Sequence, residues 1–141
     1  MPPPVTEQHI ERLPSLQHAL LNKFYRNHGC RMRANQPSEA WVVRKPMIIA
    51  GLCLTPIAEG YWLTSLFVDP EQRHRGIAHQ LIKHIQATYP ASPIWLFCNP
   101  DLINFYQQAG FTETQKLPAP LKERLIRYQK YKKLIALHYT R

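Results

Sequence analysis

Leu66-Phe-Val-Asp-Pro-Glu-Gln-Arg-His-Arg-Gly-Ile-Ala78 begins as an apolar run, breaks at Asp69-Pro70 and turns polar and basic around one glycine, Gly76. Ile77, Ala78, Leu81, Ile82 and Ile85 then recur at steps of one, three and four, which places them on one face of a helix. The order is strand, loop, helix. The first turn of a helix leaves backbone N–H groups without intrahelical partners and is the positive end of the helix dipole. Such a turn holds anions well where no side chain blocks approach. Gly76 lacks a Cβ, Ala78 has only a methyl, and Arg73, His74 and Arg75 add charge. Phosphate binding fits this loop; so does a plain strand-to-helix turn with a solvated basic loop. Neither G-x-x-x-x-G-K-[ST] nor G-x-G-x-x-G is present.

Upstream, three short apolar runs are separated by turn residues. Ala40 to Arg44, Met47 to Thr55 and Tyr61 to Val68 are expected to be strands, broken at Lys45-Pro46 and across Pro56 to Gly60. Such close spacing predicts an antiparallel meander. Leu13, Leu16, Leu20, Leu21 and Phe24 have helical spacing, which predicts a first helix over Pro14 to Asn27, closed by His28-Gly29. Pro2-Pro3-Pro4 reads as an extended lead, and Cys30 to Ser38 as a polar loop holding Arg31 and Arg33.

Downstream, the helix from Gly76 runs to about Tyr89, and Ile94 to Cys98 is a compact apolar strand. A strand, helix and strand of this length join parallel strands. Asp101 is a candidate cap for a helix over Leu102 to Ala109, ended by Gly110. Phe111 to Lys116 and Leu134 to Tyr139 are two further candidate strands. Between them Leu121, Leu125 and Tyr128 mark a helix rich in basic residues.

The 141 residues carry a net charge of +9, unevenly distributed. Residues 116–141 hold eight basic residues against Glu123 alone, a surplus of +7, and the rest of the chain contributes only +2. Basicity is therefore a C-terminal feature, suited to a polyanionic or acidic ligand or to a solvated helix face. Nucleic acid is not the expected partner, because no recognition motif accompanies the charge. No apolar run approaches the roughly 20 residues that span a bilayer, so no membrane partner is expected. Cys30, Cys53 and Cys98 form no C-x-x-C, and the N-terminus lacks the signal-peptide pattern. A cytoplasmic protein with free thiols and no metal is expected, with residues 1–141 as one domain.

Asn99 to Phe111 reads Asn-Pro-Asp-Leu-Ile-Asn-Phe-Tyr-Gln-Gln-Ala-Gly-Phe. Taken with Arg73-His-Arg-Gly76-Ile-Ala78, it resembles the GNAT superfamily of acetyl-CoA-dependent N-acetyltransferases. There a strand ends in [QR]-x-x-G-x-[GA], and N-x-x-x-x-x-[FL]-Y-x-x-x-G-F follows further along the chain. Each motif is weak alone; in this order they are specific. The resemblance is sharp from about Trp41 to Thr112.

The resemblance implies an α/β (α+β) fold, a mixed, mostly antiparallel twisted sheet flanked by helices, with a strand–helix–strand unit carrying the coenzyme A loop. It implies that backbone N–H groups of Arg73, His74, Arg75, Gly76, Ile77 and Ala78 bind the pyrophosphate. The pantetheine arm would lie along Leu66, Phe67 and Val68, beside a bulge, with an oxyanion donor near Leu66 or Phe67. Asn99 would orient the pantetheine. Tyr106 would contact the cofactor sulfur and protonate the leaving thiolate. Acetyl-CoA is the implied co-substrate, with an amine on a small molecule or peptide as acceptor, attacked directly in a ternary complex. By residue type, Arg31, Arg33, Tyr61 and Trp62 are candidates for the acceptor pocket, and two arginines would suit a carboxylate-bearing acceptor. The family also admits a homodimer at the strand edge that the bulge frees. The competing reading is a sensor that binds acetyl-CoA without turning it over.

Overall fold

The computed structural model describes residues 8–35 and 37–141. The lead at Pro2 to Pro4 lies outside the described residues. Seven strands form one sheet: β1 (His9–Leu13), β2 (Glu39–Arg44), β3 (Ile48–Ile57), β4 (Gly60–Val68), β5 (Ile94–Cys98), β6 (Thr112–Glu113) and β7 (Ile135–Tyr139), in the order β1-β2-β3-β4-β5-β7-β6. Every neighbouring pair is antiparallel except β4 with β5. The helices are α1 (His18–Asn27), α2 (Ile77–Thr88), α3 (Ile103–Gln107) and α4 (Ala119–Gln129). This is the mixed, mostly antiparallel sheet flanked by helices that the sequence implies. No helix among the described residues is long and apolar enough to cross a membrane.

Between Glu39 and Arg44, and from Ile48 to Leu54, the strands β2 and β3 are apolar because both faces of the sheet are covered. On one face Trp41, Val43, Leu52, Leu54 and Leu63 pack with Ile77, Leu81, Ile82 and Ile85 of α2. On the other, Ala40, Val42 and Cys53 pack with Leu21, Phe24 and Tyr25 of α1. Further along that second face, Trp62 and Trp95 pack with Leu121 of α4. Gly51 explains how α1 gets so close: a Cβ there would meet Leu21 Cδ1 at 2.5 Å.

The N-terminal region departs from expectation. His9 to Leu13 pairs antiparallel with β2 as an edge strand, which the leucine periodicity did not reveal. The chain enters a 3-10 turn at Ser15–Gln17 after Pro14, so Leu13 belongs to the strand and Leu16 and Leu20 face solvent. The buried helical set is Leu21, Phe24 and Tyr25, joined by His18 and Asn22. Asp101 is not the cap of its helical segment. Asn99 caps it, its side chain accepting from the Asp101 N–H at 2.9 Å. Phe111 to Lys116 shrinks to Thr112–Glu113, because Phe111 turns into the core and Thr114 Oγ1 accepts from the Lys116 N–H at 3.0 Å, closing a turn.

Two irregularities shape the middle of the sheet. The strands β4 and β5 pair only at Tyr61 with Ile94 and Trp62 with Trp95, and separate beyond. Just past that point the β3–β4 register shifts: Cys53 faces Thr64, yet Gly51 faces Phe67. Leu52 therefore opposes two residues, Ser65 and Leu66, which is a β-bulge. Ser65 sits at φ +60°, in the left-handed region that a residue with a side chain rarely adopts.

Candidate functional site

Where β4 leaves β5, a cleft of about 810 Å³ opens. Its walls are Leu66, Phe67 and Val68 of β4, the loop residues Gln72, Arg73, His74 and Gly76, the start of α2 at Ile77 to His79, and Leu102, Phe105, Tyr106 and Gln108 beside α3. Nine of the eleven residues named for the cofactor from sequence thus line one cleft. Arg75 and Asn99 do not. Arg75 bonds Gln72 Oε1 at 3.3 Å in solvent, and the Asn99 side chain is engaged as the cap.

The loop has the conformation an anion site needs. His74 and Gly76 take φ of +65° and +74°, which turns the chain sharply into α2. Among the described residues, the backbone N–H groups of His74 to His79 meet no backbone acceptor. A Cβ on Gly76 would meet no protein atom within 4 Å, so the space in front of the helix is open. Successive free N–H groups at a helix start form a concave donor surface for phosphate oxygens. Arg73 is arranged differently from expectation. Its N–H is used by the carbonyl of Pro70 at 3.5 Å, and its Nε donates to the Val68 carbonyl at 3.1 Å. Its guanidinium lies 5.2 Å from the centre of the Phe67 ring. It therefore offers its guanidinium charge rather than its backbone N–H, and it occupies one of the strand carbonyls.

Tyr106 stands on the far wall. Its ring is buried against Phe105 and Phe111, with centroids at 4.9 and 6.0 Å. Its hydroxyl has no protein partner among the described residues, although the residue lines the cleft. Burial, with a smaller contribution from nearby Cys98, pushes the phenol up to about 12. It stays a proton carrier across the ordinary pH range. Burial likewise pushes the Cys98 thiol up to about 11, the opposite of what an activated nucleophile needs.

Residues 36–113 match the model of the acetyltransferase (GNAT) domain. The chain belongs to the GNAT acetyltransferase family. The match includes both sequence motifs and every element around the cleft. A 56-residue segment is 38% identical to peptidyl-lysine N-acetyltransferase YiaC of Escherichia coli, covering 39% of this chain and 38% of that protein. The matched segment thus spans well under half of that relative. Among solved structures, a GNAT acetyltransferase from Elizabethkingia anophelis with acetyl-CoA bound superposes at TM-score 0.66, with 13% identity over 95% of this chain and 98% of that one. Escherichia coli ElaA superposes at 0.65, with 18% identity over 94% and 98%. N-acetylglutamate synthase from Neisseria gonorrhoeae, complexed with coenzyme A and N-acetyl-glutamate, superposes at 0.71, with 15% identity over 94% of this chain and 35% of that one. At these identities the likeness is one of fold.

In this GNAT chain the four residues suggested for the acceptor do not converge. Tyr61 and Trp62 are neighbours on β4 and point to opposite faces. Tyr61 stacks on Tyr89 at 4.4 Å, while Trp62 packs beneath α4. Arg31 and Arg33 are exposed on the loop before β2, which is anchored by Asn22 bonding both the N–H and the carbonyl of Ala34.

The cleft also contains residues that sequence patterns did not single out. His79 stacks on Phe105 at 4.3 Å and its Nε2 lies 2.8 Å from the Phe105 carbonyl, tying the start of α2 to the helix that carries Tyr106. Gln72, Leu102 and Gln108 complete the lining. These contacts cross gaps of up to 26 residues in sequence, so no local spacing could reveal them.

Proposed function

We propose that this chain is an N-acetyltransferase that moves the acetyl group of acetyl-CoA to a primary amine by direct attack in a ternary complex. One observation carries this reading. A helix-start loop with free N–H groups, the bulged edge of β4 and a proton-holding phenol with no protein partner all face one cleft.

The N–H groups of His74 to Ala78, with the charge of Arg73, hold the pyrophosphate. The pantetheine arm lies along Leu66 to Val68, where β4 has lost β5 as a neighbour. The amine nitrogen attacks the thioester carbonyl, and a backbone N–H at the bulge, near Leu66 or Phe67, stabilises the oxyanion. The carbon–sulfur bond breaks, and the Tyr106 hydroxyl gives its proton to the departing thiolate. The phenol is protonated throughout the ordinary pH range and hydrogen-bonds the departing sulfur as the proton passes.

No carboxylate lines the cleft among the described residues. Glu39 is buried away from it, accepting from Trp41 Nε1 at 3.1 Å and from the Tyr89 hydroxyl at 2.7 Å. Glu59 is exposed at the β3–β4 turn. Neither carboxylate lines the donor cleft, and the amine attacks as the free base.

Release of free thiol from acetyl-CoA, followed against a panel of amines, amino acids and lysine peptides, tests the activity. Acceptor-dependent release is the expected result. Tight acetyl-CoA binding without release for any acceptor would replace the enzyme by a sensor.

A further inference from the structure

The cleft leaves one side of the β4–β5 gap unused. Leu66, Val68, Tyr106 and α2 belong to the face of the sheet where the acetyl donor would enter. The opposite face of the gap is roofed by α4, and there Trp62, Phe97, Leu121, Arg124 and Tyr128 gather. Trp62 is the last residue of β4 to pair with β5, so Arg124, whose guanidinium lies 4.9 Å from the Trp62 ring centre, covers the apex of the fork.

Arg124 makes no hydrogen bond or ion pair with any described residue. A guanidinium stacked on an aromatic ring keeps its in-plane N–H groups pointing outward, the geometry that receives a carboxylate in a fork. Its helix offers only Glu123 as competing acid. Beneath it lies the indole N–H of Trp62, buried and without an acceptor among the described residues. A bound carboxylate would pair with the outward N–H groups of the guanidinium; the enclosed indole contributes the ring that holds the guanidinium in place, not a second contact.

We infer that Arg124, stacked on Trp62, is a specificity determinant that selects acceptors bearing a carboxylate set apart from the reacting amine by an extended spacer. The inference rests on the acetyltransferase reading above. The spacer follows from the strand: Trp62 and the bulge at Ser65 are three residues apart, about 10 Å of extended chain. Lysine, reacting at its ε-amine and held by its α-carboxylate, meets that requirement. So does a peptide lysine beside an acidic residue. Glutamate, with amine and carboxylate on one carbon or a few bonds apart, does not.

The test uses the full chain, acetyl-CoA and matched acceptors: lysine against lysinamide, and a pentapeptide with Asp beside Lys against its Asn counterpart, with glutamate as the short-spacer control. The expected result is a KM about tenfold lower for at least one carboxylate member of a pair, the size of one charge-assisted hydrogen bond. Which pair discriminates identifies the free amino acid or the acidic peptide as the source. Arg124→Met, which keeps the ring covered, should abolish the preference and leave the KM for acetyl-CoA unchanged. Arg124→Lys should restore it only in part. Equal use of both members, a preference that survives Arg124→Met, or glutamate as the best acceptor overturns the inference while the acetyltransferase reading stands. Calorimetry of the same probes on coenzyme A-saturated protein reads the preference as Kd. A preference there that Arg124→Met removes upholds the site even if turnover is absent, which would count against the activity alone; no preference there overturns it.

Discussion

The hydroxyl of Tyr25 donates a 2.7 Å hydrogen bond to the carbonyl of Ser65. Tyr25 is a fully buried residue of α1, and Ser65 is the left-handed residue of the β4 bulge. The bond spans 40 residues and ties the N-terminal helix to the strand deformation that opens the cleft. A β-bulge leaves backbone groups without ladder partners, and a left-handed serine costs about 1 kcal/mol or more. Tyr25 supplies a partner that the sheet cannot.

Tyr25→Phe should therefore leave a carbonyl unpaired in a strained turn and lower stability by about 1–3 kcal/mol. Urea denaturation measures that. The same change should raise the Kd for coenzyme A, because the bulge shapes the wall along which pantetheine lies. Ser65→Gly in the Tyr25→Phe background should recover part of the affinity, since glycine takes φ near +60° without penalty. An unchanged Kd in Tyr25→Phe would show that the bulge holds its shape without α1.

Gly76→Ala separates fold from ligand at the loop. Gly76 has φ +74° and empty space where a Cβ would point, so alanine brings strain of about 1–2 kcal/mol but no clash with protein. If that space is where the pyrophosphate sits, coenzyme A affinity falls further than stability does, and Gly76→Val falls further still. Calorimetry with coenzyme A and with pantetheine, which lacks the pyrophosphate, would locate the loss: only the coenzyme A affinity should fall. Binding that tracks stability alone would mean that the phosphate lies elsewhere.

Much of the cleft was legible because its parts are local. The residues from Leu66 to Ala78 carry strand, loop and helix start in one contiguous run, and Tyr106 sits in a motif of its own. What escaped notice depends on contacts between distant segments. His9-Ile-Glu-Arg-Leu13 has too few apolar residues to announce a strand, and forms one because β2 offers it an edge. Leu16 and Leu20 continue a helical spacing that Pro14 interrupts in space. Asn99 lies outside the lining of the cleft, and its side-chain oxygen caps the turn that follows, a bond that the motif spacing does not announce. The packing of α4 was least legible, because α4 meets Trp62 and Phe97 across the sheet and no spacing within α4 marks that meeting.

Alkaline pH should unfold this chain earlier than its surface charge suggests. Burial raises the phenols of Tyr25 and Tyr106 above 10.0, and the thiols of Cys53 and Cys98 from 9.0 to about 11. The folded state holds these protons more tightly than the unfolded chain does. Their stabilisation is thus complete below the ordinary values and is lost as pH rises through the folded ones. Urea midpoints should stay flat to about pH 8.5 and decline between about pH 9 and 11. Cys53→Ala should shallow the early part of that decline, whatever it does to the midpoint at neutral pH. A profile equally steep without Cys53 would assign the loss to Cys98 and the tyrosines.

Tyr106→Phe is the sharpest test of the chemistry. The phenylalanine ring can keep the packing on Phe105 and Phe111, so the fold and the cleft should persist. Only the hydroxyl is lost, and with it the proton for the departing thiolate. Loss of a general acid lowers kcat by about 10²- to 10⁴-fold. The Kd for acetyl-CoA should stay close to that of the parent, since the pyrophosphate loop and β4 are untouched. The parent rate should not fall on the basic side of the profile before about pH 10 through loss of the Tyr106 proton, because burial pushes its phenol up to about 12. Unchanged turnover in Tyr106→Phe would remove the proton-donor role. A large loss of acetyl-CoA affinity with turnover preserved at saturation would make the hydroxyl a binding group instead.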